Sequence, residues 1–444
     1  MRQTLFYIPD DIAGLPLFGF GWLLVLWLIG AGVTLFFLAR KQGWSDEVKS
    51  FLPFVGLVAV AIAFVLPLVK VDVPPSQYGL LLWPTAMEQP QGLPIRGYGV
   101  FLLIATVSGV LLATWRARKV GLAPDVIFSL AFYMFVGGIV GARLFFIIQY
   151  WDGIYVPGSL TQTIGNMVNF VEGGLVVYGS LIGAAVSALW FLLKNKLPVL
   201  AIADLVAPSL PLGLAIGRLG CLMNGCCFGG TCEEPWAVTF PPESPPYYEQ
   251  HRHGEFFGFR IVANEADQPV VASVTDGGPA EEAGLQPGML VTSIGGRPTA
   301  TFLDAERWLS QTVDRVQLVA GESQFDFAVA ELPPRSLPVH PTQIYSSINA
   351  LLLCLVTLAW FPYRRRDGEV FALLIASYAV TRFLLEVIRI DEGGFGGTGL
   401  TISQNVSAAM LIGVVLLGSY LWRQPQGSFW PVAPSAAPNA KTAG

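Results

Sequence analysis

Two groups of residues in this chain combine type and spacing in a way that suggests chemistry. GRLGCLMNGCCFGGTC, at 217–232, holds Arg218, Asn224 and four of the five cysteines: Cys221, Cys226, Cys227 and Cys232. Further on, Tyr378, Arg382 and Glu386 stand at i, i+4 and i+8, which puts them on one face of a helix. Arg218 and Arg382, read as unpaired guanidinium groups, suggest a site for an anion such as phosphate. For Glu386, a structural pair with an arginine competes with a direct role. The cysteines admit three states: a disulfide-braced loop, inert apolar packing, or a metal or redox centre. Their C-x4-C-C-x4-C pattern lacks the C-x2-C pairs of zinc sites, so a metal ranks last. Cys354, inside an apolar run, reads as a packing residue.

Three further residues stand out. Arg143 follows VGGIVGA in an apolar run, and Tyr178 lies in VEGGLVVYGSLIG (171–183), whose glycines let backbones approach closely. His340 opens HPTQIYSS (340–347), where Pro341 suits the first turn of a helix. A lone histidine is usually a hydrogen-bonding loop group; beside an arginine-bearing rim, a functional role competes with that reading on equal terms.

The elements that position these residues are membrane helices. The 444 residues are 53% hydrophobic and only 13% charged, with mean hydropathy +0.57. A soluble globule would carry about a quarter charged residues. Apolar runs over 18–38, 51–69, 97–114, 126–148, 174–193, 201–216, 347–362, 369–388 and 403–421 approach the roughly 20 residues that cross a bilayer. Nine spans are therefore expected. Lys and Arg cluster at Arg40–Lys41, Arg116–Lys119, Lys194–Lys196, Arg364–Arg366 and Arg423, the ends of alternate spans. By the positive-inside rule the N-terminus is outside and the C-terminus inside. Arg40–Lys41 after a long apolar core argue against a cleaved signal peptide at the first span. Ionisable groups inside spans are expensive, which makes Arg143, Arg218, Arg382 and Glu386 functional candidates.

The first two spans look like an addition. GLPLFGFGWLL from Gly14 aligns without gaps to GLPIRGYGVFL from Gly92, and the same offset of 78 sets Gly43 on Gly121. A repeated helix with its cytoplasmic stop is the simplest reading. Arg96 and Tyr98 of the second copy are Phe18 and Phe20 in the first, so the first is read as structural. A second insertion, about 254–334, is soluble. VVASV, MLVTSI, RVQLV and FDFAVAEL read as strands, with one helix near 303–313. SVTDGGPAEEAGLQPGMLVTSIGGRPTA resembles a PDZ domain, and Phe257–Gly258–Phe259 would then be the loop whose N–H groups receive a peptide carboxylate beside an added strand. The expected organisation is a two-helix segment (1–80), a membrane core in two parts (81–253 and 335–425), the PDZ-like domain (254–334) and a cytoplasmic tail (426–444). The fold class is an all-α polytopic membrane protein with an α+β insert.

PIRGYG (94–99), GGLVVYGSLIG, GRLGCLMNGCCFG, PWAVTFP (235–241), HPTQIY and YAVTRFLLEVIR (378–389) together resemble the prolipoprotein diacylglyceryl transferase family, in its order and spacing. The resemblance covers about 85–255 and 336–422. It implies transfer of a diacylglyceryl group from phosphatidylglycerol to the lipobox cysteine of a prolipoprotein, giving a thioether and glycerol phosphate. It also implies a bacterial cytoplasmic (inner) membrane location, with the site and the insert facing the periplasm or exterior. Arg218 and Arg382 match the family's essential arginines and would clamp the phosphate. Tyr98, Asn224, Gly229 and Tyr378 match further site residues, Glu386 matches an acidic partner, and Arg143 joins them as a substrate-binding candidate. The expected partners are phosphatidylglycerol, the prolipoprotein signal peptide with its lipobox, membrane lipids and a peptide ligand of the insert. No cofactor, metal or nucleic acid is expected.

Two positions depart from the family. Its proposed histidine base falls on Tyr178, and a phenol with an ordinary pKa near 10 is a poor base unless nearby arginines lower it. His340 is the substitute candidate, and deprotonation of the thiol through water is the alternative. A family Asn and Glu fall on Cys221 and Cys226. The outward location is oxidising, so a bridge such as Cys221–Cys226 or Cys227–Cys232 ranks first.

An intramembrane protease would need H-E-x-x-H or G-x-S-x-G, and neither occurs. A thiol oxidoreductase leaves the arginines unexplained. An inactive relative that binds lipid or lipoprotein, with the PDZ-like domain as recruiter, is the alternative reading.

Overall fold

The computed structural model describes residues 4–8, 11–12, 14–17, 19–43, 52, 55–56, 58–65, 93–168, 174, 176–242, 244–312, 314–329, 331–388 and 399–430. Strand β1 (Thr4–Ile8) pairs antiparallel with β2 (Leu93–Arg96), from Thr4↔Arg96 to Ile8↔Leu93. Between them lies helix α1 (Trp22–Gln42). Helices α2 (Gly97–Lys119), α3 (Pro124–Gln149), α4 (Leu160–Val168), α5 (Val177–Lys194), α6 (Val199–Val206), α7 (Ser209–Asn224) and α8 (Pro245–Arg252) follow. The insert supplies β3 (Phe259–Ala263), β4 (Pro269–Val274), β5 (Val291–Ile294), β6 (Arg297–Pro298), α9 (Phe302–Leu309), β7 (Arg315–Ala320) and β8 (Ser323–Ala328). Three helices complete the chain: α10 (Thr342–Trp360), α11 (Glu369–Glu386) and α12 (Ile402–Arg423).

Among the described residues, seven helical stretches are long and apolar enough to cross a membrane: Trp22–Arg40, Gly97–Lys119, Pro124–Gln149, Val177–Lys194, Val199–Asn224, Thr342–Tyr363 and Ile402–Arg423. The protein is a multi-pass membrane protein. The expected run at 369–388 is a helix, α11, but Glu369, Arg382 and Glu386 make it more polar than the others. The expected span over 51–69 is described only in part, with a π-helical turn at Ala61–Val65, and the tail beyond 430 lies outside the described residues. Gly43 after α1 and Gly121 after α2 both take positive φ, 70° and 78°, as helix-stopping glycines do.

Contacts divide the chain into two units: Met1–Gly97 with Met223–Cys226 and Thr231–Val339, and Tyr98–Leu222 with Cys227–Gly230 and His340–Gly444. In the second unit, large apolar side chains such as Leu103, Phe132, Phe135, Val186, Val415 and Leu416 are exposed. In water such a surface would aggregate; in a bilayer it meets lipid. Trp115 under Lys119 (3.7 Å) and Trp190 under Lys194 (4.6 Å) place an aromatic and a cation together at the ends of α2 and α5, as interfacial residues do.

Lipid cannot drive helices together by the hydrophobic effect, so small residues must let them touch. Gly137 and Gly141 on α3 face Gly179 and Gly183 on α5, each pair four apart. A Cβ on Gly137 would lie 2.7 Å from the Gly183 carbonyl oxygen, and one on Gly141 would lie 2.8 Å from the Gly183 Cα. A looser seam joins α2 to α7, where a Cβ on Gly109 would lie 3.3 Å from Ser209 O and one on Gly213 3.6 Å from Ala105 O.

The insert, in the first unit, has a two-stranded sheet β3–β4 and a four-stranded sheet in the order β8-β7-β5-β6. Alternating apolar residues give it a core that includes Phe257, Phe259, Ile261, Leu309, Leu318 and Phe325. VVASV, RVQLV and the helix near 303–313 fall on β4, β7 and α9, MLVTSI ends in β5, and FDFAVAEL ends its strand at Ala328. Thr301 and Asp304 form a capping box on α9. His251 is fully buried and donates through Nε2 to Thr312 O at 2.9 Å; burial pushes its imidazole pKa below the ordinary range, which keeps the ring neutral.

The glycine seam yields a graded expectation. Gly141→Val should lower the thermal midpoint in detergent markedly, since overpacking costs about 1–3 kcal/mol or more. Gly30→Ala on α1, where a Cβ meets nothing within 4 Å, should leave it unchanged. Equal midpoints for the two variants would refute the close approach.

Candidate active site

The arginines are brought to one level by α10. Ser347 Oγ donates to Ala215 O (2.8 Å) on α7, three residues before Arg218. Asn349 Nδ2 donates to Thr381 Oγ1 (3.0 Å) on α11, one residue before Arg382. One turn of α10 thus holds both arginine-bearing segments. The opposite ends of those segments are also joined. Asp204 on α6 accepts the N–H groups of Gly368 (Oδ2, 2.8 Å) and Phe371 (Oδ1, 2.8 Å) at the start of α11. Arg218 lies fourteen residues beyond Asp204, and Arg382 fourteen beyond Gly368. Arg382 is about 21 Å of helix from the anchor, and Arg218 lies beyond the two-residue break between α6 and α7.

The two guanidinium groups differ in state. Arg382 Nη1 is 2.5 Å from Glu386 Oε2, and its Nη2 donates to Ser403 Oγ at 2.8 Å. The Glu386 side chain is fully buried and also accepts from Thr401 Oγ1 (3.3 Å), the N-cap of α12. The expectation of two unpaired arginines is therefore corrected. Arg382 is neutralised four residues along its own helix, because a carboxylate buried at that place needs a counter-charge. Arg218 is half-buried, and its buried Nε has no hydrogen-bond partner among the described residues.

Tyr98 lies across from α7: a Cβ on Gly220 would be 3.4 Å from its ring and 3.3 Å from its carbonyl. Tyr378, on the Arg382 helix, packs on the cluster of Ala207, Leu353, Val370 and Leu374. Gly229 allows a close crossing, since a Cβ there would come within 2.8 Å of both His340 Cβ and Thr342 Cγ2. Gly229 N donates to His340 O and His340 N to Gly230 O, each at 3.0 Å. The His340 Nδ1 is 3.4 Å from the Tyr345 hydroxyl. Tyr178 is half-buried at the second position of α5. Asn224 is half-buried at the end of α7.

Arg143 sits among carbonyls. Its Nε donates to Met167 O (2.8 Å), Nη1 to Gly174 O (3.1 Å) and Nη2 to Asn166 O. These bonds fix the end of α4 and the backbone before α5, so Arg143 positions the Tyr178 helix.

The cysteines are corrected too. All five are described, and no disulfide joins them. Cys221 and Cys227 bring their sulfurs within 4.8 Å of one another without a bridge. The bracing expected of a disulfide comes from main chain and a hydroxyl: the Gly229–His340–Gly230 bonds, and Thr342 Oγ1 donating to Cys227 O at 2.6 Å. Cys232 N donates to Pro338 O at 3.0 Å.

In the insert, the N–H groups of Phe257 and Phe259 donate to Gly254 O (2.9 and 3.4 Å), and that of Gly258 to Glu255 O (3.3 Å). The donors expected to receive a peptide carboxylate are already spent. The residue the sequence reading missed is Asp204. Its signal was present, as the one acidic residue in the run 201–216.

Comparison with known proteins identifies the family. Residues 84–420 match the family described as prolipoprotein diacylglyceryl transferase. A protein of Rhodopirellula baltica named phosphatidylglycerol–prolipoprotein diacylglyceryl transferase is 34% identical, over 95% of this chain and 90% of its own length. Similarly named proteins of Clostridium perfringens (25% identical; 73% of this chain, 91% of the relative) and Clostridium tetani (27%; 72% and 91%) are also similar.

The pairing states separate structural from functional arginines. Arg382→Ala strands a buried carboxylate and should cost about 3–5 kcal/mol, recovered in part by adding Glu386→Ala. Arg218→Ala removes no partner among the described residues and should leave unfolding in detergent nearly unchanged. A large loss of stability for Arg218→Ala would show that it is a structural strut.

Proposed function

The chain belongs to the prolipoprotein diacylglyceryl transferase family, and from that premise we infer that it transfers a diacylglyceryl group from phosphatidylglycerol to the lipobox cysteine of a prolipoprotein. The nucleophile belongs to the substrate. Its thiol gives a proton to a base, sulfur bonds to the diacylglyceryl carbon, the C–O bond to phosphate breaks, and that electron pair leaves on glycerol phosphate. Two demands follow: a base, since the thiolate is the reactive form, and positive charge preorganised for the phosphate.

Arg218 meets the second demand. Its buried, unpartnered Nε is the observation that carries this reading. A desolvated charged donor without an acceptor is costly, and a phosphate oxygen relieves that cost. Arg382 belongs to the same clamp at the same level of α10, oriented by Glu386 and Ser403, and the family resemblance adds Tyr98, Asn224, Gly229 and Tyr378 as substrate-binding residues. For the base, His340 is favoured over Tyr178. Its backbone is pinned at Gly229 and Gly230, and the Tyr345 hydroxyl at Nδ1 leaves Nε2 for the thiol proton. An imidazole is also a better base near neutral pH than a phenol.

The site faces the outer side of a bacterial cytoplasmic membrane, with the N-terminus outside and nine spans; the alternation of Lys/Arg clusters supports this orientation. The insert is PDZ-like; its order of strand pair, one-turn helix at Pro279–Glu282, strand, helix and strand pair supports that.

Purified protein given phosphatidylglycerol and a lipobox peptide should yield the thioether, detected by mass. Arg218→Ala and Arg382→Ala should each lower the rate by about 10²–10³, as expected for losing one donor to a developing anion, and Cys226→Ser should retain activity. His340→Ala should abolish turnover and Tyr178→Phe should not. Product absent with the intact protein would leave the binding-protein alternative.

A further inference from the structure

Strand β3 of the insert has β4 on one edge only, in register from Phe259↔Val274 to Ala263↔Pro269. Its other edge meets a segment of the same chain that is not a strand. Ile261 N donates to His253 O at 2.9 Å, and Phe259 N to Gly254 O at 3.4 Å. Arg252–Gly254, at the end of α8, therefore occupy the place where an added strand would bond.

The same residues reach α9 on the far side. His253 Nε2 is 2.8 Å from Glu306 Oε1, and Arg252 Nε is 3.2 Å from the same oxygen. The His253 ring stands 5.7 Å from that of Phe302. A groove with a backbone edge for one wall and a helix for the other is thus filled from within. The fit is imperfect, because the buried Nδ1 atoms of His251 and His253 find no hydrogen-bond partner. Buried polar atoms left unpaired weaken an occupant's hold.

We propose that the groove between β3 and α9 is a strand-addition site for an internal, extended peptide segment bearing a basic side chain, held shut in cis by the chain's own Arg252–Gly254. The internal character follows from the spent N–H groups of Phe257, Gly258 and Phe259, which leave no nest for a terminal carboxylate. The basic side chain follows from Glu306, a carboxylate that is 13% exposed and on which Arg252 and His253 converge. A tethered occupant acts at an effective concentration on the order of millimolar, so a partner in solution competes at a disadvantage until the strap lets go. Release has a second end. Pro245 and Pro246 of α8 pack on Gly225, where a Cβ would meet them at 3.3 and 3.5 Å, and Leu337 N donates to Gln250 Oε1 at 2.8 Å. Opening the groove frees the helix seated on the Asn224–Gly225–Cys226 turn. The proposal is independent of the transferase reading.

The test uses the full chain in detergent micelles and a dye-labelled, C-terminally amidated peptide with the sequence of Tyr248–Glu255. Arg252→Ala/His253→Ala should bind this probe about tenfold more tightly than the unaltered chain, the scale of one charge-assisted hydrogen bond. Adding Glu306→Gln should reverse the gain. Hydrogen exchange at the Ile261 amide should quicken in the double variant, while Leu318 in β7 stays protected. If Leu318 also loses protection, Glu306→Gln alone, which leaves α8 and β3 intact, should still quicken exchange at Ile261. Equal probe affinity in the two chains, no binding by a variant whose Ile261 exchange has risen, or unchanged Ile261 exchange in every variant would overturn the proposal.

Discussion

Asp204 is fully buried in a membrane helix, and its two oxygens accept the Gly368 and Phe371 N–H groups at the start of α11. Arg364 Nε stands 3.9 Å from Oδ2. An ionised carboxylate in an apolar interior is costly unless paired and hydrogen-bonded. Here the free N–H groups of a helix N-terminus and a guanidinium together meet that need. The surroundings are built to keep the cations. Arg116 donates to the carbonyls of Asp204 and Leu205, and Arg116 and Arg364 lie 4.1 and 3.8 Å from the centre of the Phe361 ring. The anchor ties α6 directly to α11, the helix of Arg382, and α7 with Arg218 follows α6 after two residues. The cross-links from Ser347 and Asn349 then hold them level near the other end.

Packing of the remaining helices follows a different rule. The α3–α5 seam uses glycine pairs because no gain in apolar burial separates helix from lipid. Arg143 finishes that pair of helices by collecting carbonyls from the backbone before α5. Rigidity in this unit thus comes from backbone contact and from buried charge, and the apolar surface is left for the bilayer.

How much of this was legible in the sequence depended on whether the signal was local. Span positions, the strands at 269–274 and 315–320 and the Arg382–Glu386 face could be read because periodicity and i, i+4 spacing are properties of a single element. Asp204 could have been flagged by its cost but not assigned, since its partners lie 164 and 167 residues away. The cysteine loop misled for the same reason. Four thiols in sixteen residues suggested a disulfide brace, whereas Thr342 and the backbone of His340, more than a hundred residues on, hold the loop. Strand β3 was hidden by its neighbours: Phe257–Gly258–Phe259 reads as a binding loop until the hydrogen bonds show where its donors go.

The same backbone ladder brings together the two ends of the segment that carries the small sheets. Gly229, Gly230 and His340 exchange hydrogen bonds, Cys232 N reaches Pro338 O, and Val238 and Val339 bond reciprocally at 3.1 and 3.0 Å. The chain that leaves this region and the chain that returns to it are therefore held side by side, and the length between them is free to grow. Loop closure costs little more as a loop lengthens once its ends are fixed. A folded insert of about eighty residues can be accommodated there at small conformational cost. The same bonds require glycine at 229, since a side chain would strike His340 and Thr342.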